Sequence, residues 1–569
     1  MFFMMTKFLD IFDHPVLHPL YPRTVSASAG IPADLACTPI GTSQKVRELH
    51  VDEIKKLEDD FAQGALRCKK AGIDGVQLHI SHGYFLQQFV SPYTNQRTDE
   101  YGGSVENRLR IIKEIIEKIH KLCGPDYPIS ARFTADEYYR LFGYDMGYTI
   151  TDAVEIAKLL EEYGIQYLDL SCGTYDCLNA WCEPTSYDLG WRKDNAKAIK
   201  DAVSIPVGST GVIRTPEQAE KLIEEGYQDV IGLARPLLAD PFWAKKAAEG
   251  RSNEINRCLS CLYCLESMMS NALAGGLPGQ CAVNPRTCNE LMFPREPEKV
   301  GEGRNVVVIG AGPAGLIAAR TCAQKGFNVT VFEKADKVGG QVLLAAAPAQ
   351  KYKIGWITED YETQCKLLGV DIRLNTEATV ENVKALEPYA IFNATGGTPL
   401  VPRIPGYDLP NVYTPDQILK KEVVLEGKTV AVIGSGMTGL ETAEYLSDVG
   451  DNKIVIVEMA KELAPGTWNQ HKQDVIPKLE DRGAKFYTNW KLVEMRDDSV
   501  EIEYATVSGR KKNVKCDAII MSLGVRPAGL AQEIKDICPN MCFNVGDAHK
   551  PGRIAAATHA AYRVAMALK

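Results

Sequence analysis

Between about residues 72 and 235, short apolar runs alternate with longer segments in which apolar residues recur with helical periodicity. The apolar runs are GVQLHI, PISARF, IQYLDLS, SIPVGST and DVIGLA, and segments such as VENRLRIIKEIIEKIHKL separate them. Strands that are buried on both faces have nearly continuous apolar sequences, and parallel strands need helical connections. The pattern therefore predicts a parallel α/β sheet of five strands, either in a barrel or in an open sheet.

A different pattern begins after residue 250. Residues 251–300 are rich in Cys, Asn, Gly and Pro, which is typical of a loop-rich segment organised by something other than a hydrophobic core. Two similar segments follow, NVVVIGAGPAGLIAA at 305–319 and KTVAVIGSGMTGLETAEYL at 428–446. Each combines an apolar strand, a glycine-rich turn and a helix, so the chain is predicted to repeat a dinucleotide-binding unit.

The first repeated unit has the spacing G-x-G-x-x-G at Gly310, Gly312 and Gly315, and its next strand, NVTVFE, ends at Glu333. Glycines in this pattern allow a tight turn and the close approach of a pyrophosphate to the helix N-terminus. An acidic residue at the end of the second strand can accept a hydrogen bond from a ribose 2′-hydroxyl. These four residues are therefore candidate ligands of a dinucleotide.

The second unit repeats the pattern at Gly434, Gly436 and Gly439, and its strand KIVIVE ends at Glu458. Two units imply two bound nucleotides. A carboxylate at the end of this strand repels a 2′-phosphate, so Glu458 favours NADH over NADPH. Lys461 lies close enough in the sequence to weaken that preference.

Composition and charge narrow the choice of partner. The chain has 569 residues, of which 64 are Lys or Arg and 73 are Asp or Glu, for a net charge of −9. This balance disfavours nucleic acid and anionic membrane surfaces as partners. The sequence contains no apolar run near the roughly 20 residues of a membrane helix. We therefore expect a cytoplasmic protein of several domains that binds small molecules. Assembly of the chain into a homo-oligomer is consistent with this expectation.

Five of the 16 cysteines lie between residues 258 and 288, which points to a metal. Cys258, Cys261 and Cys264 are closely spaced in RCLSCLYC, and Cys281 follows after sixteen residues. Four thiolates suit either zinc or an iron-sulfur cluster, and spacing alone does not choose between them. Cys288 is then a spare residue, which we expect to be a buried thiol.

With ATGG at 394–397 and VGDAHKPG at 545–552, the two glycine-rich units resemble the pyridine nucleotide-disulfide oxidoreductase fold. The resemblance implies that the first unit binds FAD and the inserted second unit binds NAD(P)H. It also implies that Gly340, Gln341, Gly546 and Asp547 belong to the FAD site. The redox-active cysteine pair of the disulfide reductases is missing, so electrons must leave the FAD by another route.

The segment GVQLHISHGYFLQQFVSPYTNQRTDEYGGSVENRLR resembles the active-site stretch of the Old Yellow Enzyme family, whose FMN sits in a (β/α)8 barrel. The resemblance implies that His79 and His82 bind the carbonyl oxygen of an activated alkene and that Tyr84 protonates its α-carbon. Donors at the carboxyl end of a barrel strand can stabilise enolate charge in this way. By the same resemblance, further FMN contacts come from Arg132, Thr210, Gly211, Ala234 and Arg235.

In this order, the segments resemble the large iron-sulfur flavoproteins, which include 2,4-dienoyl-CoA reductase, enoate reductases, bile-acid-inducible reductases and trimethylamine dehydrogenase. The resemblance favours a [4Fe-4S] cluster between the flavins and implies an NADH-dependent ene reductase acting on an unsaturated carbonyl substrate. An amine dehydrogenase is one alternative, although that branch usually carries Tyr where this chain has His79. A diaphorase with a non-functional barrel is another.

The chain departs from this family in its number of barrel strands. Eight strands are expected, but five are found, and the first already carries the histidines that the family places on strand four. Either the sequence begins at an internal methionine, or the barrel is N-terminally incomplete and either holds FMN poorly or needs another chain to close it. The expected fold is thus a partial FMN barrel at 1–250, an iron-sulfur segment at 251–300, the first part of a Rossmann-like FAD domain at 301–425, an NAD(P)-binding domain at 426–520 and the end of the FAD domain at 521–569.

Overall fold

The computed structural model describes residues 25–28, 47–275 and 278–569. The chain divides into two compact units. The first comprises residues 1–183 and 187–234, and the second comprises residues 184–186 and 235–569. The boundary between the units thus lies at residue 234, and the domain boundaries proposed from the sequence at 250, 300, 425 and 520 stay predictions.

The first unit contains a five-stranded parallel sheet whose strands pair in sequence order, from β3 to β7. The strands of this sheet are β3 (Val76–Ile80), β4 (Ile129–Thr134), β5 (Leu168–Ser171), β6 (Val207–Ser209) and β7 (Val230–Ile231), and two shorter strands before them, β1 (Val25–Ser26) and β2 (Arg47–Glu48), pair with each other in a separate sheet. The helices of the first unit are α1 (Val51–Lys70), α2 (Phe85–Val90), α3 (Val105–Cys123), α4 (Ile150–Glu162), α5 (Leu178–Trp181), α6 (Lys193–Lys200) and α7 (Pro216–Glu224). The five predicted strands are confirmed, and sequential parallel order is that of a (β/α) barrel. Within the described residues, the outer edges of β3 and β7 pair with no further strand.

Helix α3 shows why this sequence forms the layer that covers the sheet. The Ser104 side chain accepts a hydrogen bond from the Asn107 N–H and caps the helix, and Gly124 ends it with a positive φ of 95°, which favours glycine. Isoleucines at helical spacing line its buried face, namely Ile111, Ile112, Ile115, Ile116 and Ile119. Helix α1 packs against α3, and both contribute to the core of the first unit. Burial of this apolar stripe against the sheet stabilises the unit.

The second unit contains two five-stranded parallel sheets, with strand orders β10-β9-β8-β11-β22 and β13-β20-β14-β15-β16. The strands are β8 (Asn305–Ile309), β9 (Asn328–Phe332), β10 (Asp371–Arg373), β11 (Ala390–Asn393), β12 (Gly397–Pro399), β13 (Val412–Tyr413), β14 (Thr429–Ile433), β15 (Lys453–Glu458), β16 (Lys485–Thr488), β17 (Trp490–Met495), β18 (Ser499–Tyr504), β19 (Lys511–Lys515), β20 (Ala518–Met521), β21 (Val525–Pro527) and β22 (Cys542–Asn544). Strands β17, β18 and β19 form an antiparallel sheet, and β12 pairs with β21. The two parallel sheets confirm the predicted repeat of a Rossmann-like unit.

The helices of the second unit cover these sheets and carry the cysteine-rich segment. They are α8 (Arg235–Ala239), α9 (Trp243–Ala248), α10 (Tyr263–Gly275), α11 (Pro313–Gln324), α12 (Gln341–Ala345), α13 (Trp356–Leu367), α14 (Val380–Lys384), α15 (Pro415–Leu419), α16 (Met437–Asp448), α17 (Asn469–Asp481), α18 (Gln532–Lys535) and α19 (Ile554–Ala567). In the part of the chain that the structure describes, none of the helices is long and apolar enough to span a membrane.

Candidate active site and cofactor sites

The structure brings the three predicted catalytic residues together at the carboxyl end of β3. His79 lies on β3, and His82 and Tyr84 follow in the turn that leads to α2. The His79 ring centroid lies 5.3 Å from that of His82 and 5.0 Å from that of Tyr84. His82 and Gly83 both have positive φ, at 62° and 78°, so the chain reverses sharply here. This reversal presents all three side chains on one side of the sheet.

A network of buried polar side chains holds this turn. The Gly83 N–H donates to Gln87 Oε1 at 2.6 Å, and the His82 N–H donates to Thr134 Oγ1 at 3.2 Å. Gln87 in turn donates through Nε2 to Glu137 Oε1 at 2.9 Å. Glu137 therefore holds the Gln87 side chain, which in turn holds the turn at Gly83. The sequence analysis did not identify Glu137.

Burial makes the catalytic candidates electrically neutral. Desolvation, with the positive charge of Arg132 as a smaller cause, lowers the pKa of His79 to about 4. The same causes lower the pKa of His82 well below its ordinary value. Desolvation raises the pKa of Tyr84, which the hydrogen bond to Tyr175 partly offsets. Near pH 7 the site therefore presents two neutral imidazoles and a neutral phenol.

The two histidines differ in their hydrogen bonding. His82 Nε2 lies 2.6 Å from Ser171 Oγ, so one of its nitrogens is already engaged. Within the described residues, both ring nitrogens of His79 are buried and have no hydrogen-bond partner, and the same holds for Oε1 of Gln77, two residues earlier on β3. Buried polar atoms without partners are rare in proteins and need an explanation. A bound molecule that carries hydrogen-bonding groups would satisfy them.

Arg132 lies next to His79 across the sheet. The two residues are register partners on β4 and β3, and Arg132 is in turn the register partner of Asp169 on β5. Arg132 Nη1 and Asp169 Oδ2 form an ion pair at 2.6 Å, and both side chains are only partly buried. The guanidinium therefore stands beside the histidines, with an Asp that holds its position.

Aromatic side chains after β5 complete the surroundings of Tyr84. The Tyr84 hydroxyl is hydrogen-bonded to the Tyr175 hydroxyl. The Trp181 ring lies 5.0 Å from the rings of both His82 and Tyr175. The sequence analysis did not identify Tyr175. Its position in the loop that follows the apolar strand β5 was the available signal.

Thr210 and Gly211, predicted to contact a phosphate, directly follow β6 and line a shallow depression together with Lys193 and Gln228. The Thr210 hydroxyl also accepts a hydrogen bond from Arg192 at 3.1 Å. Ala234 is the last residue of the first unit. Arg235 begins α8 of the second unit, where it lines the cavity of the cysteine cluster.

The four predicted metal ligands, Cys258, Cys261, Cys264 and Cys281, line one small cavity in the second unit. Burial raises the pKa of Cys261 to about 11, so a metal must displace protons from these thiols when it binds. Across residues 25–28, 47–275 and 278–569, no three His, Cys, Asp or Glu side chains converge on a single ion. Cys288 is exposed, so the expectation of a buried thiol was wrong. It lies in a run of turns that gives its side chain no core to enter.

The residues predicted to bind FAD converge on the start of α11. Gly315 lies so close to the turn that a Cβ there would overlap the carbonyl oxygen of Gly310. The helix can approach the turn this closely because residue 315 has no side chain. A Cβ at Gly340 would lie 3.5 Å from Gly312 Cα, and one at Gly546 would lie 2.7 Å from Ala314 Cβ. The glycines thus leave an open cradle at a helix N-terminus, which suits a pyrophosphate.

Polar residues frame this cradle. Glu333 accepts hydrogen bonds from the N–H groups of Ala311 and Ala335, at 2.8 and 2.9 Å. Gln341 Nε2 donates to the Gly397 carbonyl at 2.9 Å. Asp547 Oδ1 accepts from the Gly552 N–H at 3.0 Å, and burial raises the pKa of its carboxyl group.

The predicted NAD site repeats this geometry. A Cβ at Gly439 would overlap the carbonyl oxygen of Gly434, whereas nothing lies within 4 Å of a Cβ at Gly436. Glu458 accepts hydrogen bonds from Ser435 N–H at 2.8 Å, Ser435 Oγ at 2.7 Å and Ala460 N–H at 2.7 Å. Its carboxylate is therefore held in place at the end of β15, beside the glycine-rich turn.

Known proteins share both halves of this architecture. Residues 19–254 match the NADH:flavin oxidoreductase / NADH oxidase family, and residues 304–537 match the pyridine nucleotide-disulphide oxidoreductase family. The chain is 37% identical over 545 residues to the NADH oxidase of Thermoanaerobacter brockii, covering 94% of this chain and 80% of that protein. It is 32% identical over 540 residues to the cinnamate reductase of Clostridium sporogenes, covering 91% and 78%.

A solved structure agrees with these relatives. The fold matches 2-naphthoyl-CoA reductase in complex with 2-naphthoyl-CoA with a TM-score of 0.87 at 30% identity, over 96% of this chain and 80% of that chain. The chain is thus a flavin-type oxidoreductase. It belongs to the NADH:flavin oxidoreductase / NADH oxidase family, in the group that joins this barrel-type domain to a pyridine nucleotide-disulphide oxidoreductase module.

Proposed function

We propose that the protein is an NADH-dependent ene reductase, which reduces the C=C bond of an α,β-unsaturated carbonyl compound. One observation carries the proposal: a buried, neutral His79 has no partner for either ring nitrogen in the described residues and lies beside the Tyr84 phenol. A donor and an acid in this arrangement suit a carbonyl whose neighbouring carbon needs a proton. The names of the cinnamate reductase and naphthoyl-CoA reductase relatives support the same substrate class.

In this proposal, the N–H of His79 donates to the substrate carbonyl oxygen. Its hydrogen bond strengthens as negative charge develops on that oxygen, so it stabilises the transition state more than the bound substrate. Tyr84 stays protonated at neutral pH and gives its proton to the α-carbon. His82 supplies a second donor, with Ser171 fixing the orientation of its ring.

The partnerless Oε1 of Gln77, together with Arg132, suits the polar edge of an FMN ring. When bound, FMN, FAD and a [4Fe-4S] cluster supply the redox chemistry that carries electrons from NADH to the alkene. The chain's own residues bind these groups, orient the substrate, exclude water and hold the proton. The glycine cradles at α11 and α16 suit FAD and NADH, respectively.

The position of the thiols suits an iron-sulfur cluster. Four cysteines line one cavity of the second unit. A cluster accommodates this arrangement because each thiolate binds a different iron atom. Cys258, Cys261, Cys264 and Cys281 would hold it.

Glu458 supports NADH rather than NADPH as the electron donor. Three hydrogen bonds hold its carboxylate next to the glycine-rich turn, where the adenosine ribose would lie. A 2′-phosphate placed there would meet a fixed negative charge. We expect NADH to reduce the flavin much faster than NADPH in stopped-flow measurements, and equal or reversed rates would contradict this role of Glu458.

The test of the function is alkene turnover by the anaerobically purified holoenzyme. Cinnamate, a cyclic enone and an enoyl-CoA ester are offered with NADH, and trimethylamine is offered with an artificial electron acceptor. Tyr84→Phe should slow alkene reduction by roughly 100-fold to 10,000-fold, which is the usual contribution of a general acid. Flavin reduction by NADH should stay unchanged.

A matched control is Tyr127→Phe, which removes a phenol just before β4, at the opposite end of the sheet, where it bonds the Ile73 carbonyl. Control and wild type should turn over equally. Amine oxidation without alkene reduction would favour the amine dehydrogenase alternative. NADH oxidation with neither activity, and no bound FMN, would favour the diaphorase.

A further inference from the structure

Tyr84 must recover a proton after each turnover, and its surroundings restrict where that proton comes from. Its side chain is buried, with a relative exposure of 6%. Donation to a carbon leaves a phenolate in a site that disfavours charge. The nearby imidazoles are poor sources, because His79 and His82 are neutral and bear no extra proton near pH 7. A further donor is therefore needed.

Tyr175 meets this need by its position. Its hydroxyl is hydrogen-bonded to the Tyr84 hydroxyl, and the two rings meet edge to face with centroids 5.3 Å apart. Tyr175 is half-buried, whereas Tyr84 is buried, so the pair leads from the site toward solvent. The Trp181 ring, 5.0 Å away at an angle of 64°, packs against Tyr175 and holds it in place.

We propose that Tyr175 is a proton relay that returns a proton to Tyr84 after each turnover. The inference rests on the proposed ene reduction. The alkene gains a hydride derived from NADH at its β-carbon and the Tyr84 proton at its α-carbon. The Tyr84 oxygen then takes the Tyr175 hydroxyl proton, and the Tyr175 oxygen takes one from water or buffer. The overall reaction consumes one alkene, one NADH and one solvent proton.

The relay predicts a separation between first and later turnovers. The proton used in the first turnover is already on Tyr84, so Tyr175→Phe should slow that turnover by no more than about twofold, through the weaker acidity of Tyr84. Later turnovers should slow by at least tenfold in weakly buffered solution, which gives a burst of one product per site. Added imidazole or phosphate should restore the later turnovers, because a small acid can replace the missing hydroxyl.

The experiment is rapid-quench measurement of product from the reduced holoenzyme with excess NADH and alkene, for wild type, Tyr175→Phe and Tyr127→Phe. A burst in Tyr175→Phe alone, abolished by buffer, supports the relay. Equal loss in the first and later turnovers, with no response to buffer, would mean that Tyr175 only positions Tyr84 and would overturn the proposal. Unchanged turnover at every buffer concentration would overturn it as well.

Failure of the relay and failure of the function give different results. A wild-type enzyme that reduces no alkene refutes the proposed function and the relay with it. A wild type that turns over normally, beside a Tyr175→Phe without a burst, refutes the relay alone. The pKa of the Tyr84 phenol gives a readout that is independent of activity, and it can be measured by NMR of Cζ-labelled tyrosine as the pH is raised. Loss of the Tyr175 hydrogen bond should raise the Tyr84 pKa further.

Discussion

Glu137 offers the strongest quantitative test of how this site is built. It is completely buried, yet it accepts hydrogen bonds from Gln87, from the Ser91 hydroxyl at 3.0 Å and from the Tyr148 N–H at 2.8 Å. Burial raises the pKa of its carboxyl group to about 7, although these hydrogen bonds act in the opposite direction. The change to test is Glu137→Gln, which keeps the shape of the side chain and removes its titration.

The sign of the effect follows from proton linkage. An unfolded chain releases the Glu137 proton near pH 4.5, whereas the folded protein holds it until about pH 7. Over this range the unfolded state binds fewer protons, so the free energy of unfolding falls as the pH rises. A pKa difference of about 2.5 corresponds to about 3.4 kcal/mol, of which about 2.5 kcal/mol is lost between pH 5 and pH 8.

The assay is hydrogen exchange of the β4 amides, Ile129–Thr134, at pH values from 5 to 8, with intrinsic exchange rates corrected for pH. Glu137→Gln should be less stable at pH 5 by about 1–3 kcal/mol, because its amide meets a donor where the carboxyl group accepted. In this variant the free energy of unfolding should also no longer fall by about 2.5 kcal/mol between pH 5 and pH 8. Glu117→Gln, an exposed change on α3, should keep that decline. An unaltered decline in Glu137→Gln would refute the reasoning.

Three further outcomes follow from the second unit. Cys261→Ser should lower iron and acid-labile sulfide, measured by chemical analysis, while NADH still reduces the FAD; stoichiometric zinc without sulfide would contradict a cluster. Gly439→Ala should lower the melting temperature because its Cβ would overlap a carbonyl oxygen, whereas Gly436→Ala should fold normally and bind NADH more weakly by calorimetry. His559→Leu removes a hydrogen bond of 2.8 Å to the Cys281 carbonyl, so this variant should lose iron to a chelator faster than the wild type does. Equal rates of iron loss would show that this hydrogen bond does not hold Cys281 in place.

Much of the fold could be predicted because its signals are local. A glycine-rich turn between a buried strand and a helix requires neighbours in the sequence only, and both such turns are found where the pattern placed them. The five strands of the main sheet in the first unit, β3 to β7, were predictable for the same reason, because each is a short apolar run. The edges of that sheet depend on distant segments, and no local pattern describes them.

The long stretch that resembles the Old Yellow Enzyme family combines two kinds of residue that the sequence does not separate. Arg97 donates to the carbonyl oxygens of Ala27 and Leu49, at 2.9 and 2.8 Å. Asn95 donates to those of Phe89 and Tyr101, at 2.6 and 2.7 Å. These side chains hold the scaffold, whereas His79, His82 and Tyr84 face the site. A motif therefore identifies a fold and a site together, and contacts are needed to assign each residue to one of them.

The protonation state of the site could not be predicted from the sequence, because it also depends on contacts between distant segments. His79, His82 and Tyr84 are close neighbours in the chain, but their neutrality depends on burial created by β4, β5 and the loop after β5. A cationic imidazole buried in this site would carry a large desolvation cost before any charge develops on the substrate. A neutral donor gains most of its interaction when negative charge appears on the substrate oxygen. In the proposed reaction, burial thus keeps two histidines and a tyrosine neutral, so that their interaction with the substrate grows as charge develops on its oxygen.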